Sequence, residues 1–186
     1  MAQPKTIGAE DIHAAIERLA TAIVARHSNS KGLLILGIAN GGIELARRLA
    51  ERLTELKLGL TIKSGTVDIS FHRDDISSNP IPKEFAPTRI PSDVNAATII
   101  LVDDVLHSGR TIKAALDELF DHGRPTKVEL AILVDRGGRR LPVAADYCGL
   151  SVGATDGEKV IVHLNRERPS HDQIRVEPLA ARNSSL

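Results

Sequence analysis

Two adjacent carboxylates, Asp103 and Asp104, stand at the end of the apolar run Ile99-Ile100-Leu101-Val102, and Val105, Leu106 and the polar turn His107-Ser108-Gly109-Arg110-Thr111 follow directly. The next segment, TIKAALDELF (111–120), carries Ile112, Ala115, Leu116, Leu119 and Phe120 at helical spacing. A turn that opens a helix exposes unpaired N–H groups, and the helix dipole adds positive potential there, which makes an anion site. Two hydroxyls, a guanidinium and a flexible glycine around that spot suit a phosphate monoester. The carboxylates would repel a phosphate. They suit neutral hydroxyls, as acceptors, or a divalent cation. Phosphate in the turn and vicinal hydroxyls on the aspartates together describe a ribose 5-phosphate. Taken alone, two acids after a strand are more often a solvated strand end; the turn and helix attached to them reverse that balance.

Other residues with chemical potential are fewer. Ala39-Asn40-Gly41-Gly42 follows a second apolar run and reads either as a ligand-contacting nest of backbone N–H groups or as a tight turn. Asp135-Arg136, with Arg139 and Arg140, follows a third. No Ser-His-Asp or Cys-His arrangement suggests a nucleophile, and no ligand spacing suggests structural zinc. His72 and His107 read as loop histidines, and Cys148 as a packed small side chain.

The elements that position these groups alternate along the chain. Ile12, Ile16, Leu19, Ala20, Ile23 and Val24 predict an amphipathic helix over 10–26, and GLLILGI (32–38) predicts a buried strand. Ile43, Ala46, Leu49, Ala50 and Leu53 predict a second helix, and TVDISF (66–71) a strand. Residues 74–97 lack periodicity and hold four prolines, which predicts a long flexible arm. VELAILV (128–134) predicts a buried strand and DYCGLSV (146–152) a short one. KVIVHL (159–164) reads as the last strand, preceded by the hairpin dipeptide Asp156-Gly157, with a frayed tail from about 180. The alternation implies an α/β domain with a largely parallel central sheet flanked by helices. Ligands of such sheets sit beyond the carboxyl ends of the strands. That rule puts 37–42, 103–111 and 135–140 on one rim.

Composition sets the frame. One domain is expected for 186 residues, and 42% hydrophobic residues is ordinary for a globular chain. Lys+Arg and Asp+Glu both number 24, so no global charge points to nucleic acid or a membrane surface. A single cysteine excludes an internal disulfide, no apolar run reaches the roughly 18 residues of a membrane span, and no secretory signal opens the chain. A cytoplasmic setting is the expectation.

The segment ILVDDVLHSGRT (100–111) resembles the phosphoribosyl-pyrophosphate (PRPP) motif of type I phosphoribosyltransferases. HRDD (72–75), ELFDHGRPTKVELAILVDRGGRRLP (118–142) and GIANGGIELARRLAERL (37–53) narrow the resemblance to the PyrR family, over roughly 10–165. Those proteins are pyrimidine-operon attenuation regulators that also act as uracil phosphoribosyltransferases. The resemblance implies a single domain over 1–186, with a flexible arm at about 74–97 and small C-terminal hood strands. It implies transfer of phosphoribosyl from PRPP to uracil, giving UMP and pyrophosphate. Asp103 and Asp104 match the acids that hold the ribose hydroxyls. Val105 and Leu106 lead into the 5-phosphate loop, His107 to Thr111. Ala39, Asn40, Gly41 and Gly42 match the pyrophosphate loop. Arg73, with Asp74 and Asp75, begins the arm and joins the two acids in the catalytic set. Asp135, Arg136 and Val152 fall near the base, with the backbone from Cys148 onward framing it.

By the same resemblance, Mg²⁺ arrives with PRPP, and no dedicated protein cage is expected. A leader mRNA is the implied macromolecular partner, with Arg18, Arg26 and Arg139 as its contacts, and the chain is expected to form a homo-oligomer, a dimer or higher. Departures are visible. Many members carry Lys-Thr-Arg-Gly where this chain has Ala39-Asn40-Gly41-Gly42. His107 replaces a tyrosine, Ser108 a threonine, and two basic positions of relatives read Gly138 and Leu150. Two alternatives stay open: an RNA-binding attenuator that senses nucleotides with little catalysis, and a phosphoribosyltransferase for another base.

Overall fold

The computed structural model describes residues 5–57, 59–70, 72 and 87–179. The chain runs through β1 (Lys5–Ile7), α1 (Ala9–Arg26), β2 (Gly32–Ile38), α2 (Gly42–Leu56), β3 (Thr61–Val67), β4 (Thr98–Leu106), α3 (Arg110–Asp121), β5 (Lys127–Asp135), β6 (Tyr147–Ser151), β7 (Glu158–His163) and β8 (Gln173–Pro178). Five strands form one parallel sheet in the order β3-β2-β4-β5-β6, and β1-β8-β7 form a separate antiparallel sheet.

The apolar runs are continuous because both faces of the parallel sheet are covered. Side chains alternate between faces along each strand. Leu33, Ile35, Ile100, Val102, Ala131 and Leu133 pack with α1 and α2. Leu34, Leu36, Ile99, Leu101, Leu130 and Ile132 pack with α3 and with Val94.

Three expectations change. The strand predicted at 66–71 is Thr61–Val67, paired with β2 from Gly32↔Thr61 to Ile38↔Val67. It is an edge strand whose only buried residue is Val67, so it lacks an apolar run. Val67 and Ile69 both enter the core, which produces the alternation beyond the point where pairing stops. Second, residues 159–164 are not the last strand. β8 follows and pairs with β7, and β1 pairs with β8, so the hood takes strands from both ends of the chain. Their apolar content, chiefly Ile174 and Val176, is too short to show a period. Asp156-Gly157 does form a turn, closed by Glu158 N–H on the Thr155 carbonyl, but it joins the two sheets rather than a hairpin. Third, the arm expected at 74–97 does not extend to 97. Arg89 bridges Thr66 through two backbone hydrogen bonds, and Val94 is core. Residues 73–86 lie outside the described residues.

Buried polar groups lock the layers together. Asp172 in the hood accepts Arg48 Nη1 at 2.5 Å, the Asn165 N–H at 2.7 Å and His13 Nε2 at 2.9 Å, which ties the hood to α1 and α2. On β5, the buried Glu129 receives His27 Nε2 (2.6 Å) and Tyr147 Oη (2.7 Å) and pairs with Arg26 and Lys127. Burial alone would raise the Glu129 pKa. Lys127, His27 and Tyr147 outweigh it and hold the carboxyl at about 2. A carboxyl depressed in the folded state stabilises above its unfolded pKa, near 4.3, and that stability vanishes as pH falls through about 2. Glu129→Gln therefore lowers stability by about 3 kcal/mol at pH 7 and leaves it nearly unchanged at pH 2, as denaturant melts at the two pH values would report.

Candidate active site

The acidic pair lies inside β4, not after it. Pairing with β5 continues through Asp103↔Ile132 and Val105↔Val134 to Leu106↔Asp135, so both carboxylates are fixed by the sheet. Asp103 is 5% exposed, and its Oδ1 accepts the Asp104 N–H at 3.0 Å. Burial, and then the neighbouring Asp104 charge, push the Asp103 pKa well up; burial also raises that of Asp104. This point of the rim carries two adjacent carboxyls. It favours hydroxyl donors or a cation.

The glycine loop after β2 reaches these acids. The Ala39–Asn40 peptide is cis, and the Ala39 N–H bonds the Val67 carbonyl at 2.9 Å. A Cβ on Gly41 would stand 2.6 Å from the carboxylate atoms of Asp104, so only glycine lets the loop lie against that side chain. Gly41→Ala must turn the Asp104 carboxylate away. It should cut turnover about 10²-fold, in proportion to a lost charge-positioning contact, while denaturation changes by under about 1 kcal/mol.

The turn after β4 delivers α3. Gly109 sits at φ 91°, the left-handed region, and is the residue before Arg110 begins the helix. Ser108 Oγ accepts the Arg110 N–H at 3.3 Å, and the N-cap residue Gly109 contributes no side-chain hydrogen bond. The amides of Thr111 and Ile112, also in the first turn, have no i−4 carbonyl inside the helix and stand at the rim. The turn is electropositive. Burial and then the charges of Arg136, Arg140 and Arg139 lower the His107 pKa. The same field favours an anion.

A second turn, after β5, holds the first. Arg139 donates to the carbonyls of Leu106 (3.1 Å), His107 (2.8 Å) and Val143 (3.1 Å), and to Asp135 Oδ2 at 2.5 Å. The N–H groups of Arg140 and Leu141 both reach the Ser108 carbonyl at 3.0 Å. Burial would raise the Asp135 pKa, but Arg139 and the Gly137 N–H lower it overall.

The predicted residues sort clearly. Ala39 to Gly42, Asp103 to Thr111, and Asp135 to Arg140 share the carboxyl rim of the sheet, as expected. Asp135, Arg136 and Val152 are brought together: the Val152 N–H bonds the Asp135 carbonyl at 2.8 Å, and the Arg136 N–H bonds that of Leu106 at 3.1 Å. Arg136 is 8% exposed. Its Nη2 holds the Thr155 and Glu158 carbonyls at 2.9 Å each, while Nε is buried without a hydrogen-bond partner among the described residues. Cys148 pairs with Ile132, about 10 Å below Asp135 along the strand, so only Ser151 and Val152 of that segment reach the rim. Arg73 lies outside the described residues.

Arg18, Arg26 and Arg139 are not brought together. Arg18 donates to the Gly149 carbonyl at 3.0 Å. Arg26 pairs with Glu129 and Asp146 and lies 5.6 Å over the Tyr147 ring, at the opposite end of β5 from Arg139. Arg139's role as a clasp between two turns was not foreseen. Its one advance signal was an i,i+4 spacing from Asp135.

Comparison with known proteins places this geometry. The family described as phosphoribosyl transferase domain matches residues 8–164. The chain is 44% identical to the bifunctional protein PyrR of Deinococcus deserti over 170 residues, which is 89% of this chain and 91% of that protein. It is 44% identical to the bifunctional protein PyrR of Corynebacterium glutamicum over 160 residues, 83% of this chain and 82% of that one. Among solved structures, the hypoxanthine phosphoribosyltransferase of Trypanosoma cruzi superposes with a TM-score of 0.65 at 16% identity, covering 92% of this chain and 95% of that chain. A hypoxanthine-guanine phosphoribosyltransferase of Bacillus anthracis gives 0.62 at 18% identity, covering 93% and 96%. At those identities the structures establish the shared fold.

Proposed function

Because the chain belongs to the PyrR family of phosphoribosyltransferases, we propose that it transfers phosphoribosyl from PRPP to uracil, giving UMP and pyrophosphate. The observation that carries this reading is the pair Asp103–Asp104, held by the sheet and followed, through residues 105–109, by the N-terminus of α3.

Each part of the rim then has a task. The first amides of α3, with Ser108 and Thr111, take the 5-phosphate. Asp103 and Asp104 accept the ribose hydroxyls, and the backbone of residues 39–42 lies against the pyrophosphate. Asp135, Arg136 and Val152 border the base; the Nε of Arg136 is a buried donor beside that space. The anomeric carbon reacts through an oxocarbenium-like transition state as pyrophosphate leaves. No nucleophile or general base is needed, and rate comes from positioning, fixed charge and exclusion of water. The oxygen donors of Asp103 and Asp104 fit a Mg²⁺ carried by PRPP. Bound there, the ion would neutralise charge on the departing pyrophosphate.

The printed name of the relatives, bifunctional, supports a second role for this chain, as a UMP-responsive regulator that binds leader mRNA. Arg18 and Arg26 stand on an exposed face of α1 but spend donors on internal partners. RNA binding through them would show a shallow salt dependence, since each phosphate contact adds only about 0.7–0.9 to the log–log slope.

The test is UMP formation from uracil and PRPP with Mg²⁺, run beside hypoxanthine, guanine and orotate. Turnover with uracil is expected. Turnover with a different base alone would keep the PRPP site and overturn the base assignment. No turnover with any base, together with tight UMP binding, would favour the sensor.

A further inference from the structure

Outside the rim, one cluster brings together metal-ligating side chains from distant parts of the sequence. Glu118 and Asp121 stand at i,i+3 in the last turn of α3, so their carboxylates share a face. His72 reaches them from the segment after β3. Its Nε2 is 3.1 Å from Glu118 Oε2 and 3.5 Å from Asp121 Oδ2, and the ligand atoms of all three lie within 4.8 Å of one another. A tetrahedral ion with bonds of about 2.0–2.1 Å sets its ligand atoms about 3.3 Å apart. The two separations from His72 straddle that value.

Two further features argue for a cation. Glu118 is held in place from behind: its Oε1 accepts Thr88 Oγ1 at 2.7 Å and faces His122 Nε2 at 3.1 Å, which leaves Oε2 turned toward His72 and Asp121. Such outer contacts are how proteins orient carboxylate ligands. The helix end itself also disfavours two acids. The C-terminal end of a helix carries partial negative charge, and α3 has no basic residue in its last turn, yet two acids stand there.

We propose that His72, Glu118 and Asp121 bind one transition-metal dication of the zinc type, with His122 and Thr88 as the residues that position Glu118. Mixed imidazole and carboxylate donors select zinc-like ions over magnesium. The site is separate from the acidic pair and the phosphate turn, since Glu118 and Asp121 stand about 12–17 Å along α3 from Arg110. Its occupant would link the segment after β3 to α3, residues 46 positions apart in sequence (118 − 72). That separation is why ligand spacing in the sequence gives no zinc signature.

The test titrates zinc alone into the full-length chain and follows binding by calorimetry, with magnesium as the competitor. One saturable equivalent is expected, unaffected by millimolar magnesium. His72→Gln combined with Asp121→Asn should weaken it at least about tenfold. Thr88→Ala should weaken it about 10–100-fold if it orients the ligand as outer-shell residues do. Cys148→Ser, which removes the exposed thiol, should leave it unchanged. Asp121→Asn alone, on a side chain 72% exposed, keeps the test valid if the double variant does not fold. Absence of saturable zinc binding by the parent chain, parental affinity in both the double variant and Asp121→Asn, or loss of binding in Cys148→Ser overturns the proposal.

Discussion

Asp103→Asn combined with Asp104→Asn abolishes phosphoribosyl transfer and raises the melting temperature at neutral pH. The loss follows from the proposed role of the pair: amides keep the shape but cannot supply carboxylate oxygens to ribose hydroxyls and a substrate-borne cation. A turnover deficit of about 10³-fold or more is expected, beyond the cost of a single transition-state contact. The gain follows from burial. Both carboxyls have pKa values raised above the ordinary range, Asp103 most, by burial and by the mutual charge. A carboxyl with a raised folded pKa is penalised wherever it must ionise, so the penalty is full above the folded pKa and absent below the unfolded value, near 3.9. Removing it should raise the melting temperature at pH 8 and leave it unchanged at pH 3. Scanning calorimetry at the two pH values reads this directly. A variant that is inactive but less stable at pH 8 would contradict the assignment of a burial penalty to the pair, whereas full activity would contradict the ribose assignment.

What could be seen in the sequence and what could not divides along physical lines. Strands β2, β4 and β5 are buried on both faces, so their runs of Leu, Ile and Val announce them. The rim chemistry was equally open to reading, because a strand, a polar turn and a helix N-terminus are contiguous in sequence. β6 and β7 are legible too, at 146–152 and 159–164. The bounds of β3, and β1 and β8 altogether, are not: β3 buries only Val67, and β1 and β8 meet only in three dimensions. The same limit applies to side chains. The clasp made by Arg139 runs to backbone carbonyls 32 and 33 residues away, and Glu118 meets His72 across 46 residues (118 − 72). Neither leaves a local pattern. The arginines chosen as RNA contacts show the converse: a basic residue on a loop or exposed helix face looks free until the fold reveals a buried Glu129 beside Arg26.

Arg139→Ala should therefore behave as a lesion of the PRPP site rather than of a nucleic-acid surface. Its guanidinium is the common partner of three carbonyls and of Asp135, and the side chain is only 24% exposed. Removing it leaves the His107 carbonyl to find a new donor at the root of the phosphate turn, leaves the Leu106 carbonyl with the Arg136 N–H alone, and leaves the Asp135 carboxylate held by the Gly137 N–H. A cost of about 2–3 kcal/mol is expected, or about 5–10 °C in melting temperature. The apparent KM for PRPP should rise about tenfold or more, because the turn no longer sits rigidly over the amides of α3. Arg139→Lys should not rescue either property, since an ammonium cannot span the fork of acceptors that the planar guanidinium fills. An RNA phosphate contact predicts the opposite profile. In that case Arg139→Ala leaves stability and the KM for PRPP untouched and lowers the salt slope of leader-RNA binding by about one contact's worth, while Lys substitutes well. Thermal melts, PRPP kinetics and salt-dependent RNA binding on the same two variants separate these outcomes. The first profile would make Arg139 the residue that couples the phosphate turn to the base side of the site.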